Sequence, residues 1–212
     1  MKITVFGATG KTGQEVVRQA LAQGYEVNAL VRNPKKMDLT DEKLNLVVGD
    51  VTNVQDVEQA VDSVDGVIVA LGASPNMQAD LVMEQGTVNI IAAMKKHGVQ
   101  RLIVMSSYAM SGTEAGKEFM RKMGMKEDQI TMVQPVLDDK AKQKDAVIKS
   151  GLEYVIVEPT MLHDKGKTEQ YRIGEDLDVK AGDAISRADV ADFMLTSLTD
   201  NQWVGSIVTI SD

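Results

Sequence analysis

No cysteine occurs among the 212 residues, which excludes a disulfide framework, a thiolate nucleophile and a Cys-bound metal. Histidine is scarce too. His97 and His163 are the only two, which leaves no metal cluster and little scope for a His-based triad. Basic charge is short: 23 Lys and Arg stand against 31 Asp and Glu, a net charge of −8. A nucleic-acid partner wants a basic surface and is not expected. No apolar run approaches a membrane span, and the opening run Ile3–Phe6 is far too short for a signal peptide. A soluble cytoplasmic protein with no membrane partner is the expectation. The single Trp203 and scattered apolar residues define no interface, so the oligomeric state stays open.

What is present suits one domain over 1–212, since 43% apolar residues can fill a core for this length. The chain is organised around Met1–Gly13. The apolar run Ile3–Phe6 is broken by Gly7-Ala8-Thr9-Gly10-Lys11-Thr12-Gly13, and a helical pattern follows with Val16, Val17, Ala20 and Leu21 on one face. Strand, tight glycine turn and helix form a cradle for a pyrophosphate: glycines admit close backbone approach and the helix N-terminus presents amides. Glycines at 7, 10 and 13 differ from the G-x-G-x-x-G of most dinucleotide dehydrogenases. Gly10-Lys11-Thr12 mimics the end of a P-loop, but Val5 stands where a P-loop needs glycine.

Along the chain, strands are expected at Ile3–Phe6, Glu26–Arg32, Leu44–Val48, Val67–Leu71, Leu102–Met105, Tyr154–Val157 and Ser206–Ile210. Helices are expected at Lys11–Gln23, Val54–Val64 (capped by Asn53), Met77–His97, Asp139–Lys149 and Arg187–Leu198. Gly24, Gly98 and Ser150-Gly151 close the first, third and fourth of these helices. This alternation predicts right-handed βαβ units: an α/β, Rossmann-type doubly wound parallel sheet with helices on both faces. The expected strand order is 3-2-1-4-5-6, with a possible seventh strand at the edge. Ligands then lie beyond the carboxyl ends of the strands. Ser111–Gln134 is the least regular stretch and is expected as a mobile loop over the site. Of 13 methionines several fall between Met105 and Met132, as either an adaptable apolar surface or ordinary core.

The strand ends carry the candidate site. After strand two, Arg32 with Lys35 or Lys36 places cations where a 2′-phosphate would lie, and the acid that would accept ribose hydroxyls is missing. NADP is therefore expected over NAD. Asp50, with Val51 after it, has two readings: a contact to adenine, or a turn residue before the next helix. Small residues at Ala70-Leu71-Gly72 let backbone pack beside the adenosine. Ser107 and then Ser106, after strand five, are the residues expected to orient an acceptor, although both hydroxyls can equally satisfy backbone. Pro159 and Thr160 are expected to line the nicotinamide. Tyr108, Met110, Met161 and His163 are the substrate-side candidates, in a pocket formed mainly by 106–136 and 158–185. His163 is expected in a loop as a proton donor or plain surface residue. His97 needs only the helix dipole.

Gly7–Gly13, Val31-Arg32-Asn33, Gly49-Asp50-Val51, Met105-Ser106-Ser107, Ser150-Gly151-Leu152-Glu153-Tyr154 and Ile185–Ala191 occur in an order that resembles the atypical short-chain dehydrogenases/reductases of the NmrA-like group. The sequence is most similar to the biliverdin IXβ reductase/flavin reductase branch, nearly end to end. The resemblance implies that Thr9, Gly10, Lys11, Thr12 and Gly13 hold the pyrophosphate. It implies Arg32 and Lys36 on the 2′-phosphate, Asp50 and Val51 at the adenine, and Ser107 beside the nicotinamide. Ser186, Arg187 and Asp189 match a helix-start motif, read as capping and charge pairing.

The sequence also departs from the family. None of Tyr25, Tyr108, Tyr154 or Tyr171 has lysine four residues later, so the Tyr-x-x-x-Lys dyad of many family members is missing. Lys144 stands roughly where the flavin reductase branch can have a histidine, and Lys140 or Lys142 fit as well. Glu114–Val136 matches least. The expectation is an NADPH-dependent reductase passing hydride to a small planar acceptor such as a flavin, quinone or bilin. The alternative is a non-catalytic NADP(H) sensor acting through a protein partner. A sugar-nucleotide epimerase or dehydratase is disfavoured, because those resemble larger chains with the dyad intact.

Overall fold

A computed structural model describes residues 1–72 and 82–212. Its main sheet carries eight strands. They are β1 (Lys2–Phe6), β2 (Glu26–Val31), β3 (Leu44–Val48), β4 (Gly66–Val69), β5 (Arg101–Met105), β6 (Glu153–Pro159), β8 (Arg172–Gly174) and β10 (Ser206–Ser211). Their order is β3-β2-β1-β4-β5-β6-β10-β8. The expected 3-2-1-4-5-6 core is present, and the edge strand seen in the sequence, β10, pairs parallel with β6. An antiparallel β8 lies beyond it, and β7 (Met161–His163) pairs with β9 (Ala184–Ser186) in a separate parallel ribbon. These three-residue strands are too short to show a period and went unseen in the sequence.

Helices α1 (Lys11–Ala22) and α7 (Arg187–Thr196) cover one face. Helices α2 (Val54–Val61), α3 (Met83–His97) and α6 (Gln134–Ile148) cover the other. Strand residues divide by alternation, as pleating requires. Ile103, Val155 and Val157 pack on the α1/α7 face, while Leu102, Val104 and Ile156 pack on the α2/α3/α6 face. The expected start of the third helix, Met77 to Leu81, lies outside the described residues. Gly98 closes that helix at φ +72°, a left-handed cap that glycine adopts without Cβ strain. Among the described residues, no helix is long and apolar enough to cross a membrane.

The expectation of a loop at Ser111–Gln134 is corrected. That stretch holds α4 (Glu114–Lys122) and α5 (Glu127–Met132), and α6 begins at Gln134 rather than Asp139. Capping sets the helix starts, and α4 buries Gly116, Phe119 and Met120 on one face. Thr113 Oγ1 accepts the Gly116 amide at 3.1 Å, and Gln129 Oε1 accepts the Lys126 amide at 2.9 Å. Arg121 joins Glu114 (2.7 Å) to Glu127 (2.6 Å), and Pro135 sits in the first turn of α6, where it is tolerated. The methionines here divide. Met120 is buried with Ile130, Val133 and Leu137, with Met110 and Met125 against them, whereas Met132 is 76% exposed.

Candidate functional site

Two positions of the first βα turn admit only glycine. Gly7 has φ +78°, and a Cβ there would stand 2.4 Å from the Ala70 carbonyl oxygen. A Cβ on Gly13 would stand 2.1 Å from the Gly7 carbonyl oxygen. The Gly10 amide donates to Gly7 O at 3.0 Å, and Gly10 starts α1 with no side-chain cap. The result is a bare helix start set against the carboxyl edge of β1 and β4, with Thr12 and Gly13 buried and Gly10 and Lys11 exposed. This cradle fits a pyrophosphate, which needs backbone within reach and no Cβ in the way. Lys11 itself is engaged elsewhere: its Nζ lies 2.6 Å from Asp164 Oδ2. Ala70 and Leu71 are buried beside the cradle and Gly72 is exposed.

At the β2 end, Arg32, Lys35 and Lys36 are all exposed, the lysines in a short 3-10 turn (Pro34–Lys36) whose cap is Asn33 Oδ1 accepting the Lys35 amide. Of the two readings of Asp50, the structure supplies the turn. Its Oδ1 accepts the Thr52 amide at 2.9 Å and hydroxyl at 2.7 Å. Those hydrogen bonds, with a contribution from the Arg32 charge, hold its carboxyl below the ordinary range. Val51 is corrected. Its side chain is buried where a Cβ on Gly86 would meet it at 2.8 Å, and its carbonyl accepts Asn89 Nδ2 at 3.0 Å.

At the β5 end the two serines separate. Ser106 is 3% exposed and its Oγ has no hydrogen-bond partner among the described residues. Ser107 is half-buried and its Oγ accepts the Met110 amide at 3.4 Å. Tyr108 donates its amide to Pro159 O at 3.0 Å, and its ring meets Phe119 edge-on at 5.4 Å. Beside it a small cavity is lined by Ala115, Glu118, Phe119, Lys122 and Val179.

Several of the expected residues are engaged within the fold. Thr160 donates its amide to Ile210 O and its hydroxyl to Ser211 Oγ (both 3.1 Å). The Pro159 carbonyl is taken by Tyr108. Met110 packs between two core clusters. His163 lies in β7 rather than a loop. Its Nε2 is 3.2 Å from Asp212 Oδ2 and its Nδ1 accepts the Lys165 amide at 3.3 Å, which occupies both ring nitrogens. Met161 remains 45% exposed. Ser186 Oγ accepts the Asp189 amide at 2.9 Å, the expected cap, and Arg187 pairs with Asp164.

One group escaped the sequence reading in its full form. Continuing the alternation of β5 and β6 puts Ser106 and Glu158 on the α3/α6 face. There Lys144 Nζ lies 3.0 Å from Glu158 Oε1. Lys140, one helical turn away, is 6% exposed. Burial pushes its ammonium down to about 8, against the pull of Glu158 and Asp139. Burial also raises the Glu158 carboxyl, opposed by Lys144 and Lys140. Asp139 accepts the first amides of α3, Met83 (3.1 Å) and Glu84 (3.0 Å). Lys142, the third candidate, faces solvent and pairs with Glu84 at 3.7 Å. The available signal was the i, i+4 spacing of Lys140 and Lys144; Glu158 looked like a strand-end residue. An unpartnered hydroxyl over a buried ion cluster can orient a polar atom and pass a proton.

A family model described as NAD(P)H-binding matches residues 7–201. An uncharacterised chloroplastic protein of Arabidopsis thaliana, At2g34460, is 30% identical over 223 residues, covering 99% of this chain and 76% of that protein. Matches to several longer curated relatives cover only 32 to 35% of those proteins' length. Among solved structures, ChuY, an anaerobillin reductase from Escherichia coli O157:H7, superposes with TM-score 0.80 at 19% identity, covering 99% of this chain and 96% of that one. A short-chain dehydrogenase/reductase from Veillonella parvula in complex with NADP gives TM-score 0.78 at 20% identity, covering 100% and 94%. At those identities the two structures speak to the fold alone. With its glycine cradle and Rossmann-type sheet, the chain belongs to the NAD(P)H-binding family and has the fold of its oxidoreductases.

Proposed function

We propose that the protein is an NADPH-dependent reductase that delivers a hydride to a flat conjugated acceptor such as a flavin, quinone or bilin. The observation that carries this reading is the buried Ser106 hydroxyl, unpartnered at the carboxyl end of β5. Buried hydroxyls without partners are uncommon in folded proteins, and this one sits at the carboxyl end of a sheet strand, the edge where ligands of this fold lie. The bound nicotinamide supplies the reducing equivalent. Ser106 orients the acceptor, Ser107 fixes the turn that positions Tyr108, and Tyr108 with Met161 offers apolar surface to a planar ring. An electron-poor conjugated acceptor places few demands on acid–base groups, which agrees with the missing Tyr-x-x-x-Lys dyad. Arg32 and Lys36 hold the 2′-phosphate. The acidic surface favours a small-molecule partner over nucleic acid.

The test is NADPH oxidation, followed by its near-UV absorbance, with FMN and then a simple quinone, and NADH in parallel. Turnover with NADPH well above NADH, and a lower kcat for Ser106→Ala at unchanged NADPH affinity, is the expected result. Tight NADPH binding without turnover on any acceptor overturns the reductase and leaves the sensor with a protein partner.

A further inference from the structure

Lys11 is the first residue of α1 and Arg187 the first residue of α7, and the two helices pack side by side with both starts at the carboxyl edge of the sheet. A cation is unfavourable at a helix N-terminus, and α1 carries no acidic residue in its first turn to offset it. Both cations instead share one carboxylate. Lys11 Nζ lies 2.6 Å from Asp164 Oδ2, and Arg187 Nη1 bonds to Asp164 Oδ1. Asp164 comes from the segment after β7. Around it the chain is tied down: the amides of Thr168 and Glu169 donate to buried Asp189 at 2.8 Å each, and the Lys165 amide donates to His163. The Asp164 carboxylate itself is 59% exposed, so this ion pairing is weak and exchangeable. Two oxygens of a phosphate are spaced much like the two of a carboxylate and carry more charge between them. Lys11 follows Gly10 in the glycine turn, so through this contact the carboxylate stands at the edge of the cofactor cradle.

We propose that Lys11 and Arg187 form a two-point clamp for the cofactor's pyrophosphate, which Asp164 occupies until the pyrophosphate displaces it. Lys11 and Arg187 are thus cofactor-binding residues, and Asp164 is a competitor built into the chain. The hydrogen bond from Lys11, with the Arg187 charge, keeps the Asp164 carboxyl below its ordinary range, so the competitor is ionised at neutral pH. Apparent affinity for the dinucleotide is reduced by the fraction of molecules in which Asp164 holds the clamp. This inference rests on dinucleotide binding, not on the acceptor, and reads no hydride transfer.

The experiment is titration of wild type, Asp164→Asn, Asp164→Glu and Arg187→Gln with three probes: NADPH, ADP-ribose (pyrophosphate without nicotinamide) and 2′-AMP (no pyrophosphate). Asp164→Asn is expected to bind NADPH and ADP-ribose about threefold to fivefold more tightly, the size of an exposed ion pair, with 2′-AMP unchanged. Asp164→Glu keeps the competitor and stays near wild type. Arg187→Gln binds the two pyrophosphate probes more weakly. An unchanged or weaker affinity in Asp164→Asn, or an equal gain for 2′-AMP, overturns the clamp while leaving the reductase reading intact. Failure of the wild type to bind NADPH and ADP-ribose removes both.

Discussion

Lys144 Nζ and Glu158 Oε1 lie 3.0 Å apart with side chains only 12% and 9% exposed, so a helix and a strand are joined by a buried ion pair next to the proposed acceptor site. Such a pair is costly to break singly and cheap to replace whole, because removing one partner strands an uncompensated charge. Glu158→Gln is expected to lower stability by about 3 kcal/mol. The double variant Lys144→Met with Glu158→Met is expected to recover at least half of that loss. Urea unfolding at pH 7 reads both; a double variant worse than either single one contradicts the account.

Lys140 behaves differently, because it is buried with no carboxylate hydrogen-bonded to it among the described residues. Its folded pKa, about 8, lies below the ordinary 10.5, so the unfolded chain holds the proton more tightly between those values. The cost of the buried charge is therefore fully present below about pH 8 and fades as pH rises toward 10.5. Lys140→Met is expected to be more stable than wild type at pH 7, by about 1–3 kcal/mol, with the advantage shrinking by pH 10. Chemical denaturation at the two pH values checks the sign; a destabilised variant at pH 7 refutes it.

The glycine turn makes a steric prediction. Gly13→Ala forces a Cβ against the Gly7 carbonyl, where backbone must shift, and is expected to cost about 2 kcal/mol and most of the NADPH and ADP-ribose binding. A Cβ on Gly166 meets nothing within 4 Å, so Gly166→Ala is expected to change stability by under about 0.5 kcal/mol. Thermal melts and ligand titration of the pair separate a packing effect from a general intolerance of substitution.

Cofactor choice turns on Arg32. Arg32→Ala is expected to weaken NADPH about tenfold, the loss of one charge-assisted contact, and NADH less than twofold. Parallel fluorescence titrations decide it; equal losses for the two cofactors sink the 2′-phosphate assignment.

The sequence by itself determined the sheet. The six core strands lie in the predicted order: they are short apolar runs, most of them alternating with helices, and right-handed crossovers narrow the ways to wind them. It also determined the cradle, since three glycines at fixed spacing answer a local steric demand. Capping at Asn53 and Ser186 was equally local and equally legible. What only the tertiary structure decided depends on groups far apart in the chain. Thr160 was expected at a nicotinamide, yet Ile210 and Ser211 take its amide and hydroxyl across the sheet. The helices of Glu114–Met132 rest on caps, an Arg121 bridge and a small apolar cluster with α6 that forms only in the packed chain. Ser106 and Ser107 are adjacent and chemically identical, so no local pattern could separate them. Pleating turns one into the core face, where burial strips its hydroxyl of partners, and leaves the other to hold a turn. Burial and long-range pairing are properties of the packed chain, and the site is made of them.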